Sequence, residues 1–169
     1  MRFVKLVLPV LILISGGCGY RLATKRANAG AGSTIAVPTF LNATTTYRVE
    51  QRISEALRHE LVQRTRYKVV SGSTGDVVVS GTVIGYVASP ATITAGRASS
   101  YVISLNLKIV VTDTRSGEVL FQNPSWTFLE NFELAPNSAE FVPEEPAAVD
   151  RVGATFASSL VAFLLNRKP

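Results

Sequence analysis

The chain has 169 residues, 47% of them hydrophobic, and its 17 lysines and arginines exceed its 12 aspartates and glutamates, so the formal net charge is +5. A charge of this size does not favour bulk nucleic-acid binding, and a single cysteine excludes a disulfide within the chain. The length suits one domain with its own hydrophobic core, held together by packing alone.

The start of the chain predicts a secretory signal, residues 1–17, that ends at a lipid-attachment cysteine. Arg2 and Lys5 form a positive n-region, an apolar run reaches Ile14, and two glycines directly precede Cys18. Small residues at that place admit the signal peptidase, and the cysteine thiol is the nucleophile that accepts a diacylglycerol. The mature chain would then be tethered to a membrane rather than span it.

Two alternatives to lipid attachment stay open: a conventional signal peptide cleaved near Gly17, and an uncleaved anchor. The apolar run over residues 3–14 is shorter than the roughly 20 residues that a spanning helix needs. Residue 19 is glycine, whereas lipoproteins that enteric-type bacteria retain in the inner membrane usually carry aspartate there, so export to the outer membrane is favoured. Residues 18–33 are small and polar and predict a flexible tether.

The domain at residues 34–169 opens with a predicted strand, a turn and a helix. Residues 34–40 alternate apolar and small side chains, and Pro38 suggests that this strand lies at an edge of its sheet or is bulged. One threonine of the turn that follows is expected to cap a helix over residues 47–64. The apolar stripe of this helix repeats every four residues: Val49, Ile53, Leu57 and Leu61.

The middle of the domain predicts a run of antiparallel strands. A short strand at 67–70 and a valine-rich strand at 76–87 precede a loop at 88–100, and two further strands, 101–112 and 118–132, flank a hairpin turn. Along the strand at 101–112, residues of two different kinds alternate. One of its faces is apolar, with Tyr101, Ile103, Leu105, Leu107, Ile109 and Val111, and the other is polar, with Ser104, Asn106, Lys108 and Thr112.

A second amphipathic helix follows Pro146, a residue that suits the first helical turn because it lacks an N–H. Both helices carry one apolar stripe, and the apolar face of the sheet is the large surface available to bury them. The sequence therefore predicts an α+β fold, a two-layer sandwich with two helices on one face of a mixed, mostly antiparallel sheet of four or five strands. The opposite, polar face would be free to bind a partner or ligand.

Residues for catalysis or metal binding are scarce, so we expect no enzymatic activity, no metal and no cofactor. His59 is the single histidine and lies in the middle of the first helix, and the glycine-rich run at 72–75 lacks the lysine and the helix of a phosphate loop. The acidic residues between Glu130 and Asp150 fit neither a calcium loop nor an evident catalytic pair.

Two basic residues are candidates for ligand contact. Arg97 is the only charged residue between Asp76 and Lys108, and small side chains surround it, which suits contact with a phosphate or sugar phosphate. The alternative for Arg97 is an ordinary solvated loop arginine. Lys108 lies on the polar face of the strand that follows.

Several segments together resemble the LptE family of lipopolysaccharide-assembly lipoproteins. They are Gly17-Cys18-Gly19-Tyr20-Arg21-Leu22, Ile35-Ala36-Val37-Pro38-Thr39-Phe40-Leu41-Asn42, the helix from Glu50 to Leu57, Tyr101-Val102-Ile103, the turn from Asp113 to Leu120, and a terminal helix with Arg151 and Phe156-Ala157. The likeness extends over nearly the whole mature chain and is one of order and pattern.

The resemblance implies a lipid-anchored protein of the cell outer membrane that plugs the LptD-type β-barrel and helps it fold. It also implies contact with lipopolysaccharide through a basic residue before the strand that begins at Tyr101. The matching position falls near Thr94, three residues before Arg97, so Arg97 and Lys108 are the tentative contacts. The expected partners are therefore the barrel, lipopolysaccharide and the membrane, without nucleic acid.

Two rival interpretations remain at this stage. Other outer-membrane lipoproteins, such as curli-secretion-like and penicillin-binding-protein-activator-like proteins, also begin with a Val-Pro-Phe-like strand and a similar helix. A periplasmic hydrolase is the second rival, and His59 or a serine would have to carry its chemistry.

Overall fold

The structure is a computed structural model that describes residues 32–94, 97–133 and 146–166. The helices and strands occur in the order that the sequence predicts, and one further strand of two residues is present. The elements are β1 (Thr34–Ala36), β2 (Leu41–Asn42), α1 (Val49–Arg64), β3 (Lys68–Val70), β4 (Val77–Thr94), β5 (Arg97–Asp113), β6 (Val119–Glu133) and α2 (Pro146–Asn166).

The strands form one mixed sheet with the order β3-β1-β4-β5-β6, and β2 adds to β4 beyond the end of β1. β1 is parallel to β3 and β4, whereas β4, β5 and β6 are antiparallel neighbours. The predicted two-layer α+β fold is confirmed. Of the two alternatives for the first strand, an edge position or a bulge, the edge position is wrong: β1 lies between β3 and β4, and it tolerates this because it ends at Ala36, before Pro38.

The predicted loop at 88–100 is wrong, because β4 and β5 continue as a long hairpin through most of it. Pro90 pairs with Tyr101 and Thr94 pairs with Arg97. The register shifts between Pro90 and Thr92, and again between Thr92 and Ile93, so irregular pairing accommodates the proline. The β-branched residues of this stretch favour extended backbone despite its loop-like content of small and polar side chains.

The apolar faces meet as expected. β5 buries Ile103, Leu105, Leu107, Ile109 and Val111, while Tyr101 is half-buried. On β6, Phe128 is buried and Phe121 and Trp126 are half-buried, whereas Val119 at the start of the strand is 48% exposed.

The two helices lie side by side on this apolar face. α1 buries its predicted stripe, and α2 buries Val149, Val152, Phe156 and Leu160. Gly153 allows the close approach, since a Cβ there would come 3.1 Å from Ile53 Cδ1 and 3.4 Å from Ala56 Cβ. Residues 147–166 are also long and apolar enough to cross a membrane by length and composition, but their buried stripe indicates a core helix.

The threonine cap predicted for α1 is wrong. Arg48 occupies the N-cap position with φ 56° and ψ 16°, and no side chain caps the helix there. The turn's polar residues bond to one another instead: Asn42 Oδ1 accepts from the Thr44 N–H and hydroxyl, and Asn42 Nδ2 donates to the Thr46 carbonyl and to Glu50. The helix starts at Val49, two residues later than expected.

The connection between β1 and β2 is fastened to α1 by two side chains. The Phe40 N–H donates to Ser54 Oγ at 2.9 Å, and Arg58 Nε donates to the Val37 carbonyl at 2.9 Å. The Phe40 ring is thereby held in the core, where it contacts Phe156 edge-on with ring centroids 6.1 Å apart.

Candidate functional site

The polar face of the sheet carries no helix in the described part of the chain, since α1 and α2 both pack on the other face. We call it the open face and define it by the outward residues of the three long strands. They include Ser80, Thr82, Val87 and Ser89 on β4, Val102, Ser104, Asn106, Lys108 and Val110 on β5, and Gln122, Ser125, Thr127, Leu129, Asn131 and Glu133 on β6. Small hydroxyl and amide side chains dominate, so the surface suits hydrogen bonding over a broad area.

A short network orders the centre of the open face. Asn106 Nδ2 lies 3.1 Å from Ser125 Oγ, and Ser125 Oγ lies 3.2 Å from Asn106 Oδ1. The Ser125 N–H donates to Asn123 Oδ1 at 3.0 Å, within the bulge that Pro124 and Ser125 add to β6. These contacts orient polar groups that remain accessible to a partner.

An exposed aliphatic pair lies next to this network, and the sequence analysis did not single it out. Ser104 pairs with Val87 on one side and with Leu129 on the other, so the three residues form one row across the sheet. Val87 is 56% exposed and Leu129 is 64% exposed. Strict alternation along β6 is the signal that finds Leu129, because Phe128 points inward. Exposed aliphatic groups framed by polar ones are typical of protein contact surfaces.

The two tentative basic contacts lie on the same strand but far apart. Arg97 begins β5 and pairs with Thr94 at the end of the hairpin, whereas Lys108 is exposed on the open face opposite Thr82. Eleven residues of extended strand separate them, which corresponds to roughly 36 Å. The structure therefore does not bring Arg97 and Lys108 together around one small group. Cys18 lies outside the described residues.

Among the described residues, two ionisable groups have clearly shifted pKa values, and both lie near the start of β4. The pKa of Asp76 is lowered, first by the hydrogen bond from the Thr34 N–H at 2.7 Å and then by Arg115, whose Nε donates to the carboxylate at 2.9 Å. Burial, and then the charge of Asp113, raise the pKa of Tyr67. These shifts accompany contacts that hold β1 and the β5–β6 turn in place.

The side chains of His59 and Glu130 each have a hydrogen-bond partner within the domain. His59 Nε2 lies 3.0 Å from Gln63 Nε2 on the exposed face of α1, and Glu130 accepts a hydrogen bond from the Thr155 hydroxyl at 3.2 Å. Within the described ranges, no three His, Cys, Asp or Glu side chains gather as a metal-binding group.

The fold resembles those of three solved bacterial proteins. A lipoprotein from Caulobacter crescentus CB15 is 14% identical over 80% of this chain and 93% of its own, with a TM-score of 0.52. The hypothetical protein CT253 from Chlamydia trachomatis is 10% identical over 80% and 98%, with a TM-score of 0.53. Protein XCC0632 from Xanthomonas campestris is 13% identical over 79% and 84%, with a TM-score of 0.51. At these identities the likeness concerns the fold alone.

The sequence, rather than the fold, identifies the family of this chain. A comparison with curated proteins gave no match. The family model of LptE, described as lipopolysaccharide-assembly, matches residues 33–162, which include every strand and helix from β1 through most of α2. The chain belongs to the LptE family of lipopolysaccharide-assembly proteins.

Proposed function

We propose that this protein is a lipid-anchored outer-membrane lipoprotein that plugs an LptD-type β-barrel and assists its assembly during lipopolysaccharide transport to the outer leaflet. The family match over residues 33–162 is the observation that carries the proposal. Residues 1–17 serve as the signal peptide, Cys18 receives the lipid, and residues 18–33 connect the lipid to the domain. The role is one of docking, without a chemical reaction.

The open face supports docking inside a barrel. The interior of a transmembrane barrel is polar and hydrated, so an occupant needs a surface that can exchange hydrogen bonds without leaving charges buried. The open face presents serine, threonine, asparagine and glutamine side chains, and the two charged residues among those named above, Lys108 and Glu133, are both exposed. The row Val87–Ser104–Leu129 adds apolar contact area at its centre.

Substitution at the centre of that row tests the barrel partnership. In Ser104→Arg, a long charged side chain would separate the open face from a barrel wall while leaving the core face of β5 untouched. We expect the amount of LptD-type barrel that co-purifies with the lipoprotein to fall about tenfold, as for a central contact worth at least 1.4 kcal/mol. Quantitative immunoblotting of detergent-extracted complexes measures this.

Val62→Arg is the matched control, because Val62 is exposed on α1 in the other layer and the substitution adds the same charge. Its complex with the barrel should remain at the unsubstituted level. Equal loss in both variants would contradict docking through the open face. Recovery of a peptidoglycan synthase or of a self-assembled ring, in place of a barrel, would contradict the proposed function itself.

We further propose that Arg97 and Lys108 contact lipopolysaccharide phosphates. Their separation along β5 means that they would meet different groups of the ligand or act at different stages of its passage. Arg97→Glu and Lys108→Glu should each weaken binding of purified lipopolysaccharide, and their effects should add because the sites are far apart. Arg66→Glu, an exposed site beyond the end of α1, is the control. Binding that neither charge reversal changes would remove both residues from the ligand site.

A further inference from the structure

A groove on the helix layer collects three arginines, on the side of the sheet opposite the open face. Thr39 from the β1–β2 connection forms one wall, and the volume is about 430 Å³, within the usual size range of ligand sites. The α1 side chains that line it are Arg48, Gln51, Arg52, Glu55 and Arg58. We propose that this arginine groove binds a phosphate group, either in a phospholipid headgroup or as free phosphate. The proposal is independent of lipopolysaccharide binding at Arg97 and Lys108.

Two of the guanidinium groups are already held in position. Arg58 donates from Nε to the Val37 carbonyl at 2.9 Å and from Nη2 to Thr39 Oγ1 at 3.3 Å, and its side chain is only 16% exposed. Arg52 Nη1 contacts both carboxylate oxygens of Asp150 on α2, at 2.9 and 3.0 Å. Side chains fixed in this way lose little conformational entropy when they bind an anion.

Arg48 supplies the third guanidinium, which has no ion pair among the described residues. It lies over the ring of the exposed Tyr47, 4.9 Å from the centroid. Its backbone has φ 56°, and it is the one non-glycine residue with positive φ in the described ranges. That conformation is costly for a side-chain-bearing residue, and glycine would relieve it. Backbone strain of this kind is concentrated at ligand sites, and Arg48 lines the groove.

Glu55 is the competitor that phosphate must displace. Its carboxylate pairs with Arg58 Nη1 at 2.7 Å, but its side chain is 71% exposed and can turn away into water. A phosphate with several acceptor oxygens could then bind to Arg58 and to the neighbouring guanidinium groups, whose planar forks suit phosphate. Removal of the Glu55 charge should therefore strengthen binding, whereas removal of an arginine should weaken it.

The test uses the full mature lipoprotein, anchored in phosphatidylcholine nanodiscs and titrated with inorganic phosphate, with the arginine Nε resonances observed by NMR. We expect saturable shifts of Arg48, Arg52 and Arg58. Arg48→Gly should raise the phosphate dissociation constant about tenfold without lowering thermal stability, since glycine suits the positive φ. Glu55→Gln should lower the constant about threefold. Arg66→Ala removes one exposed positive charge outside the groove and should change it less than about twofold.

The nanodisc composition identifies the source of the phosphate. If the groove binds a headgroup, replacing phosphatidylcholine, whose phosphate is neutralised by its choline cation, with anionic phosphatidylglycerol should shift the same three resonances before any inorganic phosphate is added. If it binds free phosphate, only the titration shifts them, and either result supports the proposal. Absence of saturable shifts, or equal weakening by Arg48→Gly and Arg66→Ala, would overturn it.

Discussion

Gly81 is the residue at which the β1–β2 connection presses closest on the sheet. A Cβ at this position would lie 2.6–2.7 Å from carbon atoms of the Phe40 ring. The ring has little freedom to move, because the Phe40 backbone is bonded to Ser54 and the ring contacts Phe156. Gly81 pairs in regular register with Ile109, so its lack of a side chain serves this contact and does not bend the strand.

Gly81→Ala should accordingly destabilise the domain by about 1–3 kcal/mol, the usual cost of overpacking a core. Chemical denaturation measures the change in the free energy of unfolding. Gly72→Ala is the control, since a Cβ there meets nothing within 4 Å, and it should be nearly neutral. A combined Phe40→Leu substitution should recover part of the loss. Similar stability of Gly81→Ala and Gly72→Ala would contradict the close contact.

Asp76 should make stability depend on pH in acid. Hydrogen bonds from the Thr34 N–H and from Arg115 lower its pKa in the folded protein. A carboxyl group with a lowered pKa stabilises the fold above its unfolded-state pKa of about 3.9, and this contribution is lost as pH falls through the folded-state value. We therefore expect Asp76→Asn to reduce the free energy of unfolding at neutral pH.

The difference between the original protein and Asp76→Asn should stay constant above about pH 5 and shrink as pH falls below about 4. Urea denaturation at a series of pH values checks this. Glu118→Gln, at an exposed site near the same turn, provides a comparison for the loss of one negative charge. A difference that grows toward low pH would contradict the assigned direction of the Asp76 shift.

At the scale of elements, α2 serves as the centre of the core. Phe156 is fully buried and makes edge-on contacts with Phe40, Trp126 and Phe128, with ring centroids 5.6 to 6.2 Å apart. The helix thereby joins the β1–β2 connection to β6. This packing accounts for an apolar composition that would also suit a membrane-spanning helix.

Phe156→Ala should lower the free energy of unfolding by about 3–5 kcal/mol, because it leaves a cavity among three aromatic rings. Phe163→Ala is the matched control on the same helix: Phe163 is 42% exposed and contacts Phe121 alone among the ring pairs found. Its cost should be about 1 kcal/mol. Calorimetry or denaturant titration compares the two. Equal effects would contradict the central role of Phe156.

The long β4–β5 hairpin shows where local sequence and pairing diverge. Residues 88–100 are small and polar and contain Pro90, a composition typical of loops. Strand β5 has a strong alternating pattern from Tyr101 onward, and β4 pairs with it antiparallel along its length. Once pairing is established, extending the hairpin satisfies backbone groups that a loop would leave to water. The hairpin therefore carries Arg97 away from the centre of the open face.

At the scale of the molecule, the lipid anchor and the docking face have separate functions. Cys18→Ser should remove the acyl groups and take the protein out of the outer-membrane fraction. It would then lie in the soluble periplasm if residues 1–17 are still cleaved, or in the inner membrane if they are retained as an uncleaved anchor. Intact mass measurement of the detergent-extracted protein, before and after substitution, checks this. The thermal stability of the domain should be unchanged. An original protein without acyl mass, or a variant that stays in the outer membrane, would contradict lipid anchoring at Cys18.

Some features of this protein are readable from the chain alone because they depend on local pattern. Apolar residues recur every fourth position along α1 and every second position along β5, which reveals the apolar face of each element. Because both helices have one apolar stripe and the sheet has one apolar face, the helices must pack on that face and form a second layer. The order of elements and the LptE resemblance follow from the same residues. The ends of elements are harder to read: Val119 at the start of β6 and Phe163 near the end of α2 are apolar, yet they are 48% and 42% exposed.

Only the tertiary structure decided the features that depend on residues distant in sequence. The position of β1 between β3 and β4, the contact of Phe40 with Gly81 and the row Val87–Ser104–Leu129 all arise from strand pairing, which local periodicity does not specify. The arginine groove likewise requires the β1–β2 connection to lie against α1. Local pattern determines which side of an element is buried, whereas long-range packing determines which element lies against it.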